Sequence, residues 1–216
     1  MNVEEFLQRV EWLGHASFFI KGEPSIMLDP FKISKQVKAD IVLITHEHFD
    51  HCSVEDLEKV VSNETIIVCP PDCQSKLARL DVKEVLPISP GKTISVKGVT
   101  IKAVPAYNTN KPFHPKENEW VGYVLTVDGV TIYHAGDTDL IPEMKELQNI
   151  DIAMLPVSGT YVMNAQEAAE AVKIIKPKIA IPMHYGSIVG SLQDAEKFKQ
   201  ELESAGFKVV IKHVAE

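Results

Sequence analysis

The chain has 216 residues with a net charge of −8 at pH 7, and 45% of the residues are hydrophobic. The acidic balance argues against a nucleic-acid-binding protein, which needs a basic face, and no apolar run reaches the roughly eighteen residues that a membrane span requires. A chain of this length can bury a substantial core, so we expect residues 1–216 to form a single domain.

The N-terminus and the cysteines both predict a cytoplasmic protein. The opening stretch MNVEEFLQRVEW lacks the basic region and the apolar region of a secretion signal. The cysteines are odd in number, Cys52, Cys69 and Cys73, and the spacing of the last two is not that of a zinc knuckle. We therefore interpret all three as reduced thiols.

The first half of the chain predicts several short strands and two helices. The apolar runs VEWLGHASFFI and SIMLD, separated by Gly22 and Pro24, are typical of a β-meander. DIVLIT predicts a strand buried on both faces, and TIIVC predicts another strand. Helices are expected at residues 53–61, with Ser53 as the N-cap, and at residues 72–80.

The second half predicts two hairpins and then alternating strands and helices. The hairpin turns are Lys97-Gly98 and Asp128-Gly129, and Asp-Gly is a strong short-range hairpin signal. IDIAMLPV, KIAIPM and FKVVIK predict strands. Helices are expected from residue 164, where Asn164 is the N-cap, to residue 175, and at residues 191–205. Two mixed sheets with helices on their outer faces fit this order.

The stretch THEHFDH, residues 45–51, holds three histidines and an aspartate directly after a predicted buried strand. In an extended chain residues i and i+2 point the same way, so His46 and His48 should face one point. Asp50 and His51 lie where the chain turns into a helix, and a turn lets them converge on a second point. Imidazole and carboxylate suit zinc, iron, manganese or nickel, so we predict one or two divalent metal ions here.

Two later segments should complete this metal site. YHAGDTD places Asp137 just past a predicted strand, and IPMHYG does the same for His184. One loop cannot supply all the ligands that metal ions need, and a carboxylate can bridge two ions. Because the segments all follow strand ends, they should meet at one rim of the sheets. We therefore predict Asp137 and His184 as further ligands.

Together, the motifs THEHFDH, HAGDTD and PMHYG resemble those of the metallo-β-lactamase superfamily of metal-dependent hydrolases. LGHASFFI and IMLDPF also resemble its small stand-alone members, in the branch close to ascorbate-6-phosphate lactonase. The resemblance runs from about residue 10 to about residue 190. It implies an α/β protein with a four-layer αββα sandwich and a site for one or two metals at one edge. It assigns His46 and His48 to the first metal, Asp50, His51 and His184 to the second, and Asp137 to the bridge between them.

The sequence departs from the superfamily pattern at one ligand. The superfamily usually supplies a third histidine to the first metal from a strand end, but here that strand, VTIKAVPAYN, contains none. The nearest histidine is His114, in NKPFHPK, which could reach back as a ligand, contact substrate or be merely solvated. His15 and His134 are further candidates, although a structural role is the default for both.

These features predict a hydrolase that attacks its substrate with a metal-activated water. Asp50 should bind metal and orient the water, and His134 or His114 should donate a proton to the leaving group. Lys111 and Lys116 flank His114 and could contact an anionic group. We therefore expect a small anionic substrate, such as a phosphodiester, a phosphorylated lactone or a related ester.

Two alternatives come from other functional classes. One is a redox di-iron protein of the same fold, but such sites tend to use extra carboxylates and to work beside a flavin domain, for which this chain has no room. The other is a non-catalytic metal-binding protein. The complete HEHFDH motif argues against it, because a binding protein does not need an aspartate that orients water. The identity of the metal and the oligomeric state stay open.

Overall fold

The structure, a computed structural model that describes residues 1–215, contains two six-stranded β-sheets. The first sheet follows chain order and comprises β1 (Val10–Gly14), β2 (Ser17–Ile20), β3 (Ile26–Leu28), β4 (Ile41–Leu43), β5 (Ile66–Cys69) and β6 (Glu84–Pro87). β1, β2 and β3 pair antiparallel, which confirms the predicted meander, and β3 to β6 pair parallel. The edge strand β6 was not predicted, because only two of its residues are even partly buried and its apolar pattern is weak.

The second sheet comprises β7 (Thr93–Val96), β8 (Val99–Pro105), β9 (Val121–Val127), β10 (Val130–His134), β11 (Ile152–Pro156) and β12 (Ile179–Met183). Its spatial order is β12-β11-β10-β9-β8-β7. β7 to β10 pair antiparallel through the two predicted hairpins, and β10 to β12 pair parallel. At the second hairpin Asp128 and Gly129 have φ values of 50° and 80°, the left-handed conformation that a two-residue turn with the native strand twist requires.

The helices are α1 (Val3–Leu7), α2 (Val54–Val60), α3 (Gln74–Leu77), α4 (Ala165–Ile175) and α5 (Leu192–Ser204). Both predicted caps are confirmed, because the side chains of Ser53 and Asn164 accept hydrogen bonds from backbone N–H groups of the first turn. The prediction of a helix at residues 72–80 was too long: a 3-10 turn at Pro71–Cys73 leads into α3, which is a single turn. Helix α1 was not predicted. Within residues 1–215 no helix is long and apolar enough to cross a membrane.

The two sheets pack face to face over a continuous apolar core. Phe18 and Leu43 of the first sheet and Ile101 of the second are fully buried in this layer. Tyr123 of β9 is also fully buried, and its hydroxyl donates a 2.7 Å hydrogen bond to the carbonyl of Ile44, which follows β4. That bond satisfies the one polar atom of a large core side chain and ties the sheets together beside the THEHFDH loop.

Helices cover the outer face of each sheet. Leu57 of α2 and Leu77 of α3 belong to a second apolar cluster with Val42 of β4, on the outer side of the first sheet. Val172 of α4 and Phe198 of α5 are buried against the second sheet. The prediction of a four-layer αββα sandwich is therefore confirmed.

The segment FKVVIK, predicted as a last strand, is the main error in the element assignment. Its residues form no continuous ladder; the C-terminal segment makes only isolated parallel bridges, between Val209 and Ala180 of β12 and between Val214 and Trp12 of β1. The segment crosses from the edge of one sheet to the edge of the other, so neither sheet pairs with it over several residues. Its apolar residues pack against the core without building a strand.

Candidate metal centre

Several strand ends lead into one cluster of histidine and aspartate side chains at the edge of the sandwich. The segments after β4, β10 and β12 supply the residues of the three motifs. In one group, ligand atoms of His46, His48 and His114 lie within 4.8 Å of one another. In a second group the same holds for His15, Asp50, His51 and His184, and in a third for His46, His51 and Asp137. The structure therefore brings together every residue that the sequence named as a metal ligand.

Asp137 lies between the first group and the second. Its Oδ2 atom is 3.2 Å from His114 Nε2 on one side and 3.1 Å from His184 Nε2 on the other. The same oxygen is 3.9 Å from His46 Nε2, while Oδ1 is 3.2 Å from His51 Nε2. A single buried carboxylate thus contacts histidines of both groups, which is the arrangement that a bridging ligand needs.

Asn108 holds His114 in place. Its side-chain amide donates to the carbonyl of Tyr161 at 2.9 Å, so its Oδ1 atom is the acceptor that faces His114. That oxygen accepts the backbone N–H of His114 at 2.9 Å and lies 3.1 Å from His114 Nδ1. Because Oδ1 can only accept, Nδ1 carries the proton and Nε2 presents a lone pair toward His46 and His48. The loop thus brings His114 beside His46 and His48, although the preceding strand end supplies no histidine.

Asp29, just past β3, orients two more histidines and was not assigned a role from the sequence. Its Oδ2 atom is 2.7 Å from His51 Nδ1 and accepts the hydroxyl of Thr45 at 2.6 Å. Thr45 Oγ1 lies 2.9 Å from His46 Nδ1 and, having given its proton to Asp29, accepts from that nitrogen. Both rings thus turn Nε2 to the centre. The motif IMLDPF held the available signal, a carboxylate directly after a buried strand.

Burial and neighbouring charges have opposite effects on the pKa values of His51 and Asp137. Burial alone would lower the pKa of His51, but the carboxylates of Asp137 and Asp29 raise that pKa well above its usual value. Burial would raise the pKa of Asp137, but His184 and His51 hold it well below its usual range. Burial, followed by the charge on His51, lowers the pKa of His46. Without a metal, the centre therefore favours a positively charged His51, with both ring nitrogens protonated, and an ionised Asp137.

The donor set fits a metal ion. His51 Nε2, His114 Nε2, His184 Nε2 and Asp137 Oδ1 are buried and have no hydrogen-bond partner among residues 1–215. The lone pair of His114 Nε2 faces a carboxylate oxygen at 3.2 Å. Acceptors that face each other away from water are costly unless a cation lies between them. Neutral imidazole and carboxylate are also the ligands that divalent transition metals prefer.

His15 and His134, both left as structural by default, occupy different surroundings. His15 Nε2 is 2.8 Å from Asp50 Oδ2, and its ring centroid is 4.0 Å from that of His184, so His15 is part of the cluster. His134 lies apart: its Nε2 is 2.9 Å from the carbonyl of Ala16, and its Nδ1 accepts the N–H of Gly136 at 3.2 Å. Both nitrogens of His134 are used within the fold, so we do not retain it as a proton donor.

A cavity of about 250 Å³ opens onto the cluster. Its lining residues fall into two sets by burial. We call the buried or half-buried residues of the cluster its inner wall: His48, Asp50, His114 and Asp137. We call the exposed or half-buried apolar and aromatic residues its mouth: Phe49, Phe113, Tyr161 and Ile188. The two lysines expected to contact an anionic substrate do not line it. Lys111 is paired with Asp139 and Lys116 with Glu143. The structure therefore does not support the expectation that these lysines recognise an anion.

Comparison with known proteins agrees with the motifs and the fold. A family model described as a β-lactamase superfamily domain matches residues 9–184. A protein named UPF0173 metal-dependent hydrolase, from Archaeoglobus fulgidus, is 32% identical over 219 residues, which cover 94% of each chain.

Two solved structures extend the comparison. A metal-dependent hydrolase of Parabacteroides distasonis is 36% identical with a TM-score of 0.84, and the match covers 95% of this chain and 93% of that one. The metallo hydrolase Igni18 of Ignicoccus hospitalis is 27% identical with a TM-score of 0.78, and the match covers 96% and 95% of the two chains. The chain therefore belongs to the UPF0173 metal-dependent hydrolases, a family of enzymes in the β-lactamase superfamily.

Proposed function

We propose that this protein hydrolyses a small ester or lactone by means of a water molecule activated at the cluster. His46, His48 and His114 would hold one metal ion, and Asp50, His51 and His184 a second, with Asp137 shared between them. The observation that carries this proposal is the set of unpartnered buried nitrogens that surround one carboxylate.

The chain's own residues position and deprotonate the water. A divalent zinc, manganese, nickel or iron ion held by these residues would lower the pKa of water and polarise the bond under attack. Asp50 lines the cavity and accepts a proton from the nucleophile. Burial would raise the pKa of Asp50, but the hydrogen bond from His15 and the nearby charge on His51 hold that pKa below its usual range, so the carboxylate is ionised at neutral pH. Having taken the proton, Asp50 can return it to the leaving group.

The cavity favours esters and lactones over phosphodiesters. No lysine or arginine lines it, and its two carboxylates, on Asp50 and Asp137, would repel an anionic substrate that has no metal contact. We therefore propose a neutral carboxylic ester or lactone in place of the anionic substrate expected from the sequence.

The test is hydrolysis by the purified protein before and after metal loading. We expect a chromogenic carboxylic ester or a sugar-acid lactone to be hydrolysed, with activity lost on chelation and restored by one of the four metals. A chromogenic phosphodiester should be a poorer substrate. Oxygen consumption with stoichiometric iron and no hydrolysis would instead favour the redox di-iron alternative. Metal binding without turnover of any substrate would favour the non-catalytic alternative.

Metal binding should release protons and strengthen as the pH rises. The pKa of His51 is raised above its usual value of about 6.5, so its proton must leave before Nε2 can bind a metal. In the metal-free protein that proton stabilises the fold below about pH 6.5, and the contribution is lost as the pH rises through the raised pKa. Calorimetric zinc titrations at pH 7 in two buffers of different ionisation enthalpy would measure the release. Identical heats in both buffers would contradict it.

Asp29→Asn should weaken metal binding by about 10–100-fold, the usual effect of removing a carboxylate that orients a ligating histidine. Asparagine keeps the size and tolerates the φ of 40° at this position, but it loses the charge that fixes the proton on His51 Nδ1. Competition with a chromophoric chelator gives the affinity, and the matched control is Asp81→Asn at an exposed site. An affinity equal to that of the control would show that Asp29 does not act through His51.

A further inference from the structure

The mouth of the cavity concentrates exposed apolar side chains. Phe49, Phe113 and Ile188 are 68%, 41% and 39% exposed. The other large hydrophobic side chains with comparable exposure in residues 1–215 are Met1, Leu192 and Val214. Half of the exposed large hydrophobic residues of the described chain therefore line one opening. Clustered exposed apolar surface beside polar catalytic groups is typical of a ligand-binding site.

Four separate segments build this apolar mouth. Phe49 comes from the loop after β4, Phe113 from the connection between β8 and β9, Tyr161 from the segment after β11 and Ile188 from the segment after β12. Phe113 and Tyr161 pack edge to face with ring centroids 4.6 Å apart. Since no single stretch of sequence accounts for the patch, tertiary packing assembles it.

No lysine or arginine lines the opening, so no basic side chain there is placed to bind an anion. Lys111 and Lys116 are each paired with a carboxylate, and Lys76, near the same loop as Phe49, pairs with Glu47. The polar atoms of the inner wall belong to histidine and aspartate. A substrate would thus meet apolar groups at the mouth and the reacting centre at the base.

We infer that the substrate is a neutral ester whose acyl part is an apolar chain, seated on Phe49, Phe113, Tyr161 and Ile188. The ester bond then lies against Asp50 and Asp137 at the base. The cleavage of an ester bond rests on the proposed function. The binding of an apolar chain at the mouth does not depend on the proposed function. Each methylene that leaves water on this patch should raise kcat/KM by up to about fourfold, from the transfer free energy of a buried CH₂.

The first experiment compares chain lengths in the metal-loaded protein. With p-nitrophenyl esters from acetate to octanoate, kcat/KM should climb with each added methylene, and a succinyl ester with a free carboxylate should be much poorer than the butyrate. Phe49→Ala and Phe113→Ala should weaken this dependence on chain length, because each variant should lose more kcat/KM with the octanoate ester than with the acetate ester. Leu192→Ala, an exposed apolar position outside the cavity at 53% exposure, is the matched control and should keep the wild-type climb. Hydrolysis without dependence on chain length, or a preference for the succinyl ester, would overturn the inference and leave the proposed function standing.

The second experiment needs no turnover. Octan-2-one, a neutral ketone that cannot be hydrolysed, should bind the chelated, metal-free protein in saturation-transfer NMR. Phe113→Ala should reduce the saturation transfer to the methyl group at the end of the ketone's alkyl chain, whereas Leu192→Ala should not. Binding of the ketone by a protein that hydrolyses no ester would support the apolar site and overturn the proposed function. No binding, or equal transfer in both variants, would overturn the inference.

Discussion

His114→Ala should remove one metal ion from the centre and most of the hydrolytic activity with it. The group of His46, His48 and His114 would lose one of its three nitrogens, while the group around His51 and His184 would keep its own. Loss of a direct ligand should cost more than the 10–100-fold typical of residues that only orient ligands. We expect metal analysis of dialysed protein to fall by about one equivalent.

The control for this experiment is His213→Ala, which removes an exposed histidine that belongs to none of the three groups and should change neither metal content nor rate. Thermal unfolding of the metal-free variants would show whether the substitution harms the fold. If His114→Ala keeps full metal content but loses turnover, His114 acts on substrate rather than metal. If His114→Ala keeps both full metal content and full activity, His114 has no role in the site.

Asp50→Asn should lower kcat by about 10²–10⁴-fold, the range over which a positioned proton acceptor contributes. The amide keeps the size of the side chain, but it is neutral and cannot take a proton from water. Metal affinity should fall less than the rate, because His51, His184 and Asp137 remain. The wild-type rate should rise with pH to a plateau with an apparent pKa of about 7 if zinc is bound.

The measurement is the rate of hydrolysis of a chromogenic carboxylic ester across pH. Wild type, Asp50→Asn and the exposed control Asp81→Asn are compared side by side. The control should keep the wild-type profile. A rate for Asp50→Asn within threefold of wild type at full metal loading would exclude Asp50 as the proton acceptor, the threefold margin being roughly the scatter of ordinary surface substitutions.

His15 has a role that only the folded chain reveals. It lies 35 positions from Asp50 in sequence, yet its Nε2 is 2.8 Å from the Asp50 carboxylate. The contact forms because the turn between β1 and β2 reaches the same edge as the loop after β4. Nothing local to GHAS specifies that partner, so a structural role was the reasonable expectation from sequence.

The sequence by itself determined the elements and ligands whose signals are local. The i, i+2 spacing of His46 and His48 after a buried strand, and the strand-end positions of Asp137 and His184, predicted the residues that the fold brings together. The Asp128-Gly129 hairpin likewise followed from turn chemistry that acts within a few residues. Such signals survive folding because they depend on backbone geometry that neighbouring residues set.

The tertiary structure alone decided features that depend on distant partners. His114 reaches the centre because Asn108 anchors its loop, and Lys111 is turned from the cavity by Asp139, 28 positions away. FKVVIK has the composition of a strand, but it makes a single bridge to β12, and the chain then passes to the edge of the other sheet. In each case a hydrogen bond, an ion pair or a packing contact between distant segments decides where the residue or segment lies. Such a contact exists only once the sheets have stacked, and the order of residues along the chain does not encode which partner will be near.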